Sequence, residues 1–332
     1  MLLTMKWQRV YSAIAWEIVG ESGKTLTPGF DEHLPVMASE VLEWLRPLSS
    51  GTYLDCTVGY CGHGLGILKA SDPGGKLVGI DRDSRAIEIC AKRLQSYSGR
   101  VVLIHGHFME LKRLLSDRGI SQVQGALFDL GVSSPQIADP SRGFSFQAEG
   151  PLDMRMDRSG GVTAADIVNG LDEIDLANMI YRFGEERYSR RIARALVQAR
   201  GRSAFTTTRQ LASVIESAVP AHYRRGRIHC ATRTFQALRI AVNNELDYLQ
   251  TSLEDAATLL APGGRLCVIS FHSLEDRIVK QSFRALSLPT RREFEILTKR
   301  PQLPTDDEIQ GNPRSRSAKL RVIQRSVKEG HA

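Results

Sequence analysis

The sequence predicts an α/β protein, a mostly parallel sheet covered on both faces by helices, with a helical module set into it. Three observations carry that expectation. At Thr52–Ala70 an apolar strand breaks into closely spaced glycines and runs on as a helix. Strand and helix patterns then alternate as far as Leu130, the signature of parallel strands joined by crossover helices. Acidic residues, Asp55, Asp81 and Asp129, fall where the predicted strands end, and in such sheets ligands bind outside the carboxyl ends of the strands.

The glycine turn reads Thr52-Tyr-Leu-Asp-Cys-Thr-Val-Gly-Tyr-Cys-Gly-His-Gly-Leu-Gly66. Glycines let the backbone pass close to a ligand, and the helix start offers free N–H groups to it. The next strand, Lys76 to Ile80, ends in Asp81, 22 residues after Gly59, where a carboxylate can accept both hydroxyls of a ribose. The spacing does not fit G-x-G-x-x-G. Asp55 ahead of Gly59 and Gly62 looks more like a loop that holds S-adenosylmethionine, which has no pyrophosphate to cradle. A tight connection without any ligand is the bland alternative, as is a dehydrogenase with the same start.

The remaining elements follow in order. A short amphipathic helix covers Ser39 to Leu45 and is ended by Pro47. Ser84 to Leu94 is a helix, Arg100 to Ile104 a third strand, Met109 to Leu115 the start of a third helix and Val123 to Leu130 a fourth strand. Alternation then stops. Ala164 to Leu171, Ile174 to Phe183, Tyr188 to Ala199 and Thr208 to Ala218 have helical spacing, and a long helix is expected from Thr232 to Leu260. Pro262-Gly-Gly264 should end it, before a fifth strand at Arg265 to Phe271 and a helix at Leu274 to Leu286. Phe294 to Leu297 and Lys319 to Arg325 read as the last two strands. The domain reading is an N-terminal extension at 1–32, a catalytic domain at 33–140 and 230–328, and an inserted helical domain at 141–229.

Composition narrows the class. Hydrophobic content of 42% and charged content of 24% belong to a soluble globular protein, and no apolar run approaches the ~20 residues of a membrane span. The five cysteines are scattered, which argues for a reducing compartment and against structural zinc; no metal site and a cytoplasmic location are expected. Residues 1–32 read as a plain extension, with an organellar transit peptide as the alternative. The net charge of +7 is uneven. Residues 182–240 hold 13 arginines, no lysine and three acids, a surplus of ten positive charges, which leaves the rest at −3. Such a block points to a polyanion, and arginine favours bidentate contacts to phosphate.

Several blocks are longer than any short motif. They are Asp129-Leu-Gly-Val-Ser-Ser-Pro-Gln136, Arg142-Gly-Phe-Ser-Phe146, Gly150-Pro-Leu-Asp-Met-Arg-Met-Asp157, Ala231-Thr-Arg-Thr-Phe-Gln-Ala-Leu-Arg-Ile-Ala-Val242, Ser270-Phe-His-Ser-Leu-Glu-Asp-Arg277 and Asn312-Pro-Arg-Ser-Arg-Ser-Ala-Lys-Leu-Arg321. From His33 to about Arg325 the chain resembles the 16S rRNA cytosine-N4 methyltransferases, the RsmH or MraW family. The resemblance implies a class I S-adenosylmethionine-dependent (Rossmann-like) fold with an inserted substrate-recognition domain. It implies methylation of one cytosine, cytosine 1402, in the decoding region of 16S rRNA, with the small ribosomal subunit as partner. Cofactor contacts would fall on Cys61, Gly62, His63, Asp81, Phe108, Asp129 and Gln136. The family's loop usually reads Gly-Arg-Gly-Gly-His where this chain has Gly59-Tyr-Cys-Gly-His63, and usually has Pro at Cys230. Cys61 can stand in for glycine there only if its φ stays negative.

N4 of cytosine is a poor nucleophile because its lone pair is delocalised into the ring. Transfer needs in-line alignment and an acceptor for an amine hydrogen, and no thiol attack. Asp129, or a carbonyl within 129–136, is the candidate acceptor; a purely cofactor-binding Asp129 is the alternative. His272 and Asp276 invite a general-base reading, but a helix start capped at Ser273 is the expectation. Arg187, Arg190, Arg191 and Arg194 recur at helical spacing opposite Tyr188, Ile192 and Leu196. With Arg224, Arg225, Arg227, His229 and Arg233 they are candidate contacts to an RNA backbone, Arg190, Arg194 and Arg233 foremost. A DNA cytosine-N4 methyltransferase and a non-catalytic rRNA-binding assembly factor are the competing functions.

Overall fold

In the computed structural model the described residues are 35–288 and 293–327; the expected extension at 1–32 lies outside them. Seven strands form one sheet: β1 (Thr52–Asp55), β2 (Lys76–Asp81), β3 (Val101–His105), β4 (Val123–Asp129), β5 (Leu260–Ser270), β6 (Phe294–Ile296) and β7 (Lys319–Arg325). Their order is β3-β2-β1-β4-β5-β7-β6. The first five run parallel, and β7 lies antiparallel between β5 and β6. Both faces of the inner strands are covered, so their buried stretches are apolar runs rather than alternating ones, while edge strand β3 leaves Val102 exposed. Alternate residues nonetheless part to opposite faces. Leu54, Val78, Phe128 and Val268 share one core with Leu111, Leu253 and Phe283. Tyr53, Leu77, Leu127 and Cys267 share the other with Leu42, Ile67 and Leu68.

The chain divides into two compact units. One comprises the described residues through Gly131 and from Tyr248 on; the other is Val132–Asp247. The second unit packs Glu173–Gly184, Ser189–Arg200, Thr208–Ala218 and Thr232–Asn243 around Leu176, Ile180, Ile192, Leu196, Leu211, Ile215 and Phe235. Thr163, Asp172 and Thr207 cap the helices Ala164–Gly170, Glu173–Gly184 and Thr208–Ala218, their side chains accepting early helical N–H groups. The limits differ from 141–229 because Phe235, Leu238 and Val242 face this core, so the segment after 230 belongs with the helices.

Two sequence expectations are corrected. The single helix over Thr232–Leu260 is two helices, Thr232–Asn243 and Leu249–Thr258. Asn244 ends the first at φ 50, a left-handed conformation that Asn tolerates better than most residues. Strand β5 starts at Leu260 rather than Arg265, because a register shift against β4 takes Pro262 and its glycines into the strand edge. No helix among the described residues is long and apolar enough to cross a membrane. All five cysteines are buried free thiols.

Candidate active site

Strand register brings the predicted acids to one edge of the sheet. Asp55 ends β1, Asp81 ends β2 beside His105 of β3, and Asp129 ends β4 opposite Ile269 of β5. The loop after β1 is tied to both flanking strands. Gly59 sits at φ 49 and its N–H donates to Asp81 Oδ2 at 2.8 Å. The Asp129 N–H donates to Thr57 Oγ1 at 2.6 Å. Asp81 Oδ1 also accepts the Asp83 N–H at 2.9 Å, so the carboxylate is fixed in place with further lone pairs available for ribose hydroxyls.

Cys61 overturns the expectation of a negative φ. It sits at φ 56 and ψ 31, fully enclosed, with Sγ 3.9 Å from the Cys90 carbonyl. A left-handed L-residue costs roughly 1–2 kcal/mol, which is the strain the family's usual glycine would avoid. Cys61→Gly should therefore be more stable than Cys61→Ala by about 1 kcal/mol or more, since the left-handed φ and the N-cap position both favour glycine. Denaturant midpoints decide it, and a more stable alanine variant rejects the strain. Gly62 opens the helix Gly62–Ala70; a Cβ there would lie 3.0 Å from Pro35 Cβ, so only glycine fits without displacing the entering chain.

His63, one residue on, is buried, with Nε2 3.6 Å from Asp129 Oδ2. Burial alone would lower its pKa, but the carboxylates of Asp129, Asp55 and Glu308 raise it. Neither His63 Nε2 nor Asp129 Oδ1 has a hydrogen-bond partner among the described residues. Buried polar atoms left unmatched at the rim of a glycine loop fit a polar cofactor such as S-adenosylmethionine. Phe108 is partly buried, its ring edge-on to Phe128 at 5.6 Å and tilted against His107 at 4.3 Å, consistent with an apolar wall. His107 caps the turn, its Nδ1 accepting the Met109 N–H, and burial, then Arg82, push its pKa down to about 4.

Burial pushes the Asp55 carboxyl up to about 7 and that of Asp81 up to about 6. Between about pH 4 and 7 the folded chain thus binds protons that the unfolded chain releases. The stability these two groups give is present at low pH and lost as pH rises through that window. A cationic cofactor favours the ionised carboxyls, so its affinity should move the opposite way. Melts at pH 5.5 and 8 should show the cofactor-free chain losing stability while the increment from added S-adenosylmethionine grows. An increment that shrinks with pH refutes a role for ionised Asp81.

The other candidates lie in the helical unit. Gln136 is buried and completes a capping box with Ser133, its Oε1 accepting the Ser133 N–H at 2.9 Å. Arg190, Arg191 and Arg194 are exposed on Ser189–Arg200, with Ile192, Ala193 and Leu196 buried behind them. Arg187 precedes that helix and lies over the rings of Tyr188 and Tyr223, so it leaves the expected stripe. Arg233 Nη1 donates to the Glu185 carbonyl at 2.9 Å, closing the end of the Glu173–Gly184 helix. In the sheet unit the helix Ser273–Leu286 is capped by His272 itself rather than Ser273, in a reciprocal box with Glu275. Asp276 pairs with Arg321 at 2.7 Å and Lys319 at 3.2 Å, and is no general-base partner of His272.

Thr57 and Glu308 were not legible as site residues. Glu308 Oε1 accepts the N–H of Met37, which stands at φ 54, and its charge reaches His63. A contact spanning 271 residues leaves no local pattern; for Thr57 the only sequence signal is a hydroxyl two residues beyond a strand-end acid.

A parallel sheet with this strand order and an antiparallel β7, carrying an acid-edged glycine loop at its carboxyl ends, defines an S-adenosylmethionine-dependent methyltransferase of class I. The profile of the MraW methylase family matches residues 31–326, and the chain belongs to that family. Relatives named ribosomal RNA small subunit methyltransferase H share 51% identity in Sorangium cellulosum, over 90% of this chain and 92% of the relative. That from Syntrophotalea carbinolica shares 49%, over 89% and 98%, and that from Synechococcus elongatus 50%, over 91% and 97%.

Proposed function

We propose that this chain methylates the small-subunit ribosomal RNA, at N4 of cytosine 1402 in the decoding region, in the cytoplasm. The observation that carries the reading is kinship along nearly the whole chain with enzymes named for that RNA. S-adenosylmethionine, when bound, supplies an electrophilic methyl group. The residues of the chain do the rest. Asp81 accepts ribose hydroxyls, Phe108 borders the adenine, and the Gly59–Gly62 loop lets the backbone approach.

Asp129 Oδ1 is the group that accepts an N4 hydrogen as the amine turns tetrahedral, with His63 beside the other oxygen to orient the carboxylate. The cysteines near the loop support an amine target over a ring carbon. Burial pushes the Cys56 thiol well above its ordinary value, and Cys61, although its contact with Cys90 lowers its pKa, is fully enclosed, so neither is placed to attack a base. The exposed arginines of the helical unit hold the rRNA backbone while the base is unstacked. The test is mass mapping of 16S rRNA from a strain lacking this gene. One methyl group should vanish from the N4 of that cytosine and return with the wild-type chain; an unchanged map sinks the reading.

A further inference from the structure

A cleft of about 260 Å³ opens beside the end of β5. It lies at the same sheet edge as Asp129, because Asp129 pairs with Ile269 and the cleft begins at Phe271. Phe271, His272, Ser273, Leu303, Arg316 and Lys319 are among the residues that line it. The lining is mixed in chemistry. Phe271 is partly buried and packs on the core, and Leu303 is 59% exposed, so apolar and cationic side chains share the cleft.

The charge there is positive. Lys319 shares Asp276 with Arg321, two cations on one carboxylate, and exposed Arg316 adds a third. Arg314 to Arg321 carry four cations and no acid, although the chain outside 182–240 is net negative. The 14-residue helix Ser273–Leu286 starts at the cleft, and Glu275 and Asp276 in its first turn offset the partial positive charge of its N-terminus, so the cations carry the argument. Apolar side chains beside clustered cations suit a nucleotide, whose base has a face to pack and whose phosphate carries charge. At this size, below the roughly 300–1,000 Å³ of enclosed small-molecule sites, the cleft suits one nucleotide with its strand continuing outside.

We propose that this cleft is a second RNA contact, on the sheet-bearing unit, that takes one unstacked nucleotide of the substrate strand. Its base lies against Phe271 and Leu303 and its phosphodiester on Arg316 and Lys319. The proposal rests on the RNA-substrate reading and extends it to residues outside the arginine block and the cofactor loop.

The experiment compares full-length wild type, Arg316→Glu and Arg316→Lys in filter binding of a 16S rRNA transcript across a salt series, with S-adenosylmethionine affinity measured in parallel. Arg316 is exposed, so neither variant should disturb folding. Arg316→Glu should weaken RNA binding about tenfold and reduce the salt slope by about 0.7–0.9, the loss of one phosphate contact. It should raise KM for RNA while leaving kcat and cofactor affinity unchanged, and Arg316→Lys should restore most of the slope. Wild-type binding that is indifferent to Arg316→Glu overturns the cleft proposal alone. A wild-type chain that binds no 16S rRNA overturns the substrate reading with it. CMP binding that is lost in Arg316→Glu, with RNA affinity unaffected, assigns the cleft to a free nucleotide and also overturns it.

Discussion

Replacing Asp129 with alanine lowers methyl transfer by two to four orders of magnitude, the range that a positioned proton acceptor supplies. The expectation follows from where the carboxylate is held. Its backbone N–H is fixed on Thr57, one oxygen faces His63, and the other has no partner among the described residues. An acceptor matters here because the N4 lone pair becomes the new N–C bond as the methyl group leaves sulfur. The nitrogen gains positive charge and its N–H turns acidic, so a base must take that proton. Asp129→Asn separates this role from cofactor binding, since the amide keeps the shape and loses the charge and basicity. In a labelled-methyl assay Asp129→Asn should lose kcat while its S-adenosylmethionine affinity stays within a few-fold of wild type. If affinity falls by the same factor as turnover, Asp129 only holds the cofactor, and the acceptor must be sought elsewhere in 129–136.

What was legible in the sequence was local. Strands β1 to β4 carry short apolar runs, because the inner strands of a parallel sheet are buried on both faces; edge strand β3 is as apolar although Val102 is exposed. Asp55, Asp81 and Asp129 could be placed together from sequence because parallel strands all end at one edge. What escaped depends on contacts far along the chain or on a single dihedral. Asn244 breaks a helix whose apolar spacing continues past it, and periodicity carries no information about one left-handed residue. Cys61 takes the glycine conformation because its buried side chain and the Gly59–Asp81 bond hold the loop around it. Gln136, an expected cofactor contact, also caps Ser134–Ala138 through its amide oxygen, a role that the Ser-x-x-Gln spacing at 133–136 does encode. Arg187 fits the helical period of its neighbours but lies before the helix begins, where Tyr188 and Tyr223 engage it.

The proposed part of the helical unit in RNA binding has an equally sharp consequence. Arg190→Glu with Arg194→Glu should weaken 16S rRNA binding more than a hundredfold at low salt and reduce the salt slope by about 1.4–1.8, the loss of two phosphate contacts. Both side chains are exposed, and the buried face of their helix rests on Ile192, Ala193 and Leu196, so the fold should survive the change. The Arg194–Glu173 pair, at 3.3 Å and well exposed on both sides, is worth at most about 1 kcal/mol and does not tie Arg194 down. Cofactor affinity should be unchanged, because the carboxylates and loop expected to hold it belong to the other unit. Arg233 supplies the contrast. Its guanidinium closes the Glu173–Gly184 helix, so Arg233→Ala should lower the melting temperature by a few degrees rather than act on RNA alone. A double variant that keeps wild-type affinity and salt slope would show the arginine face to be only a solvated surface, and would move the search for the RNA-binding surface away from this helix.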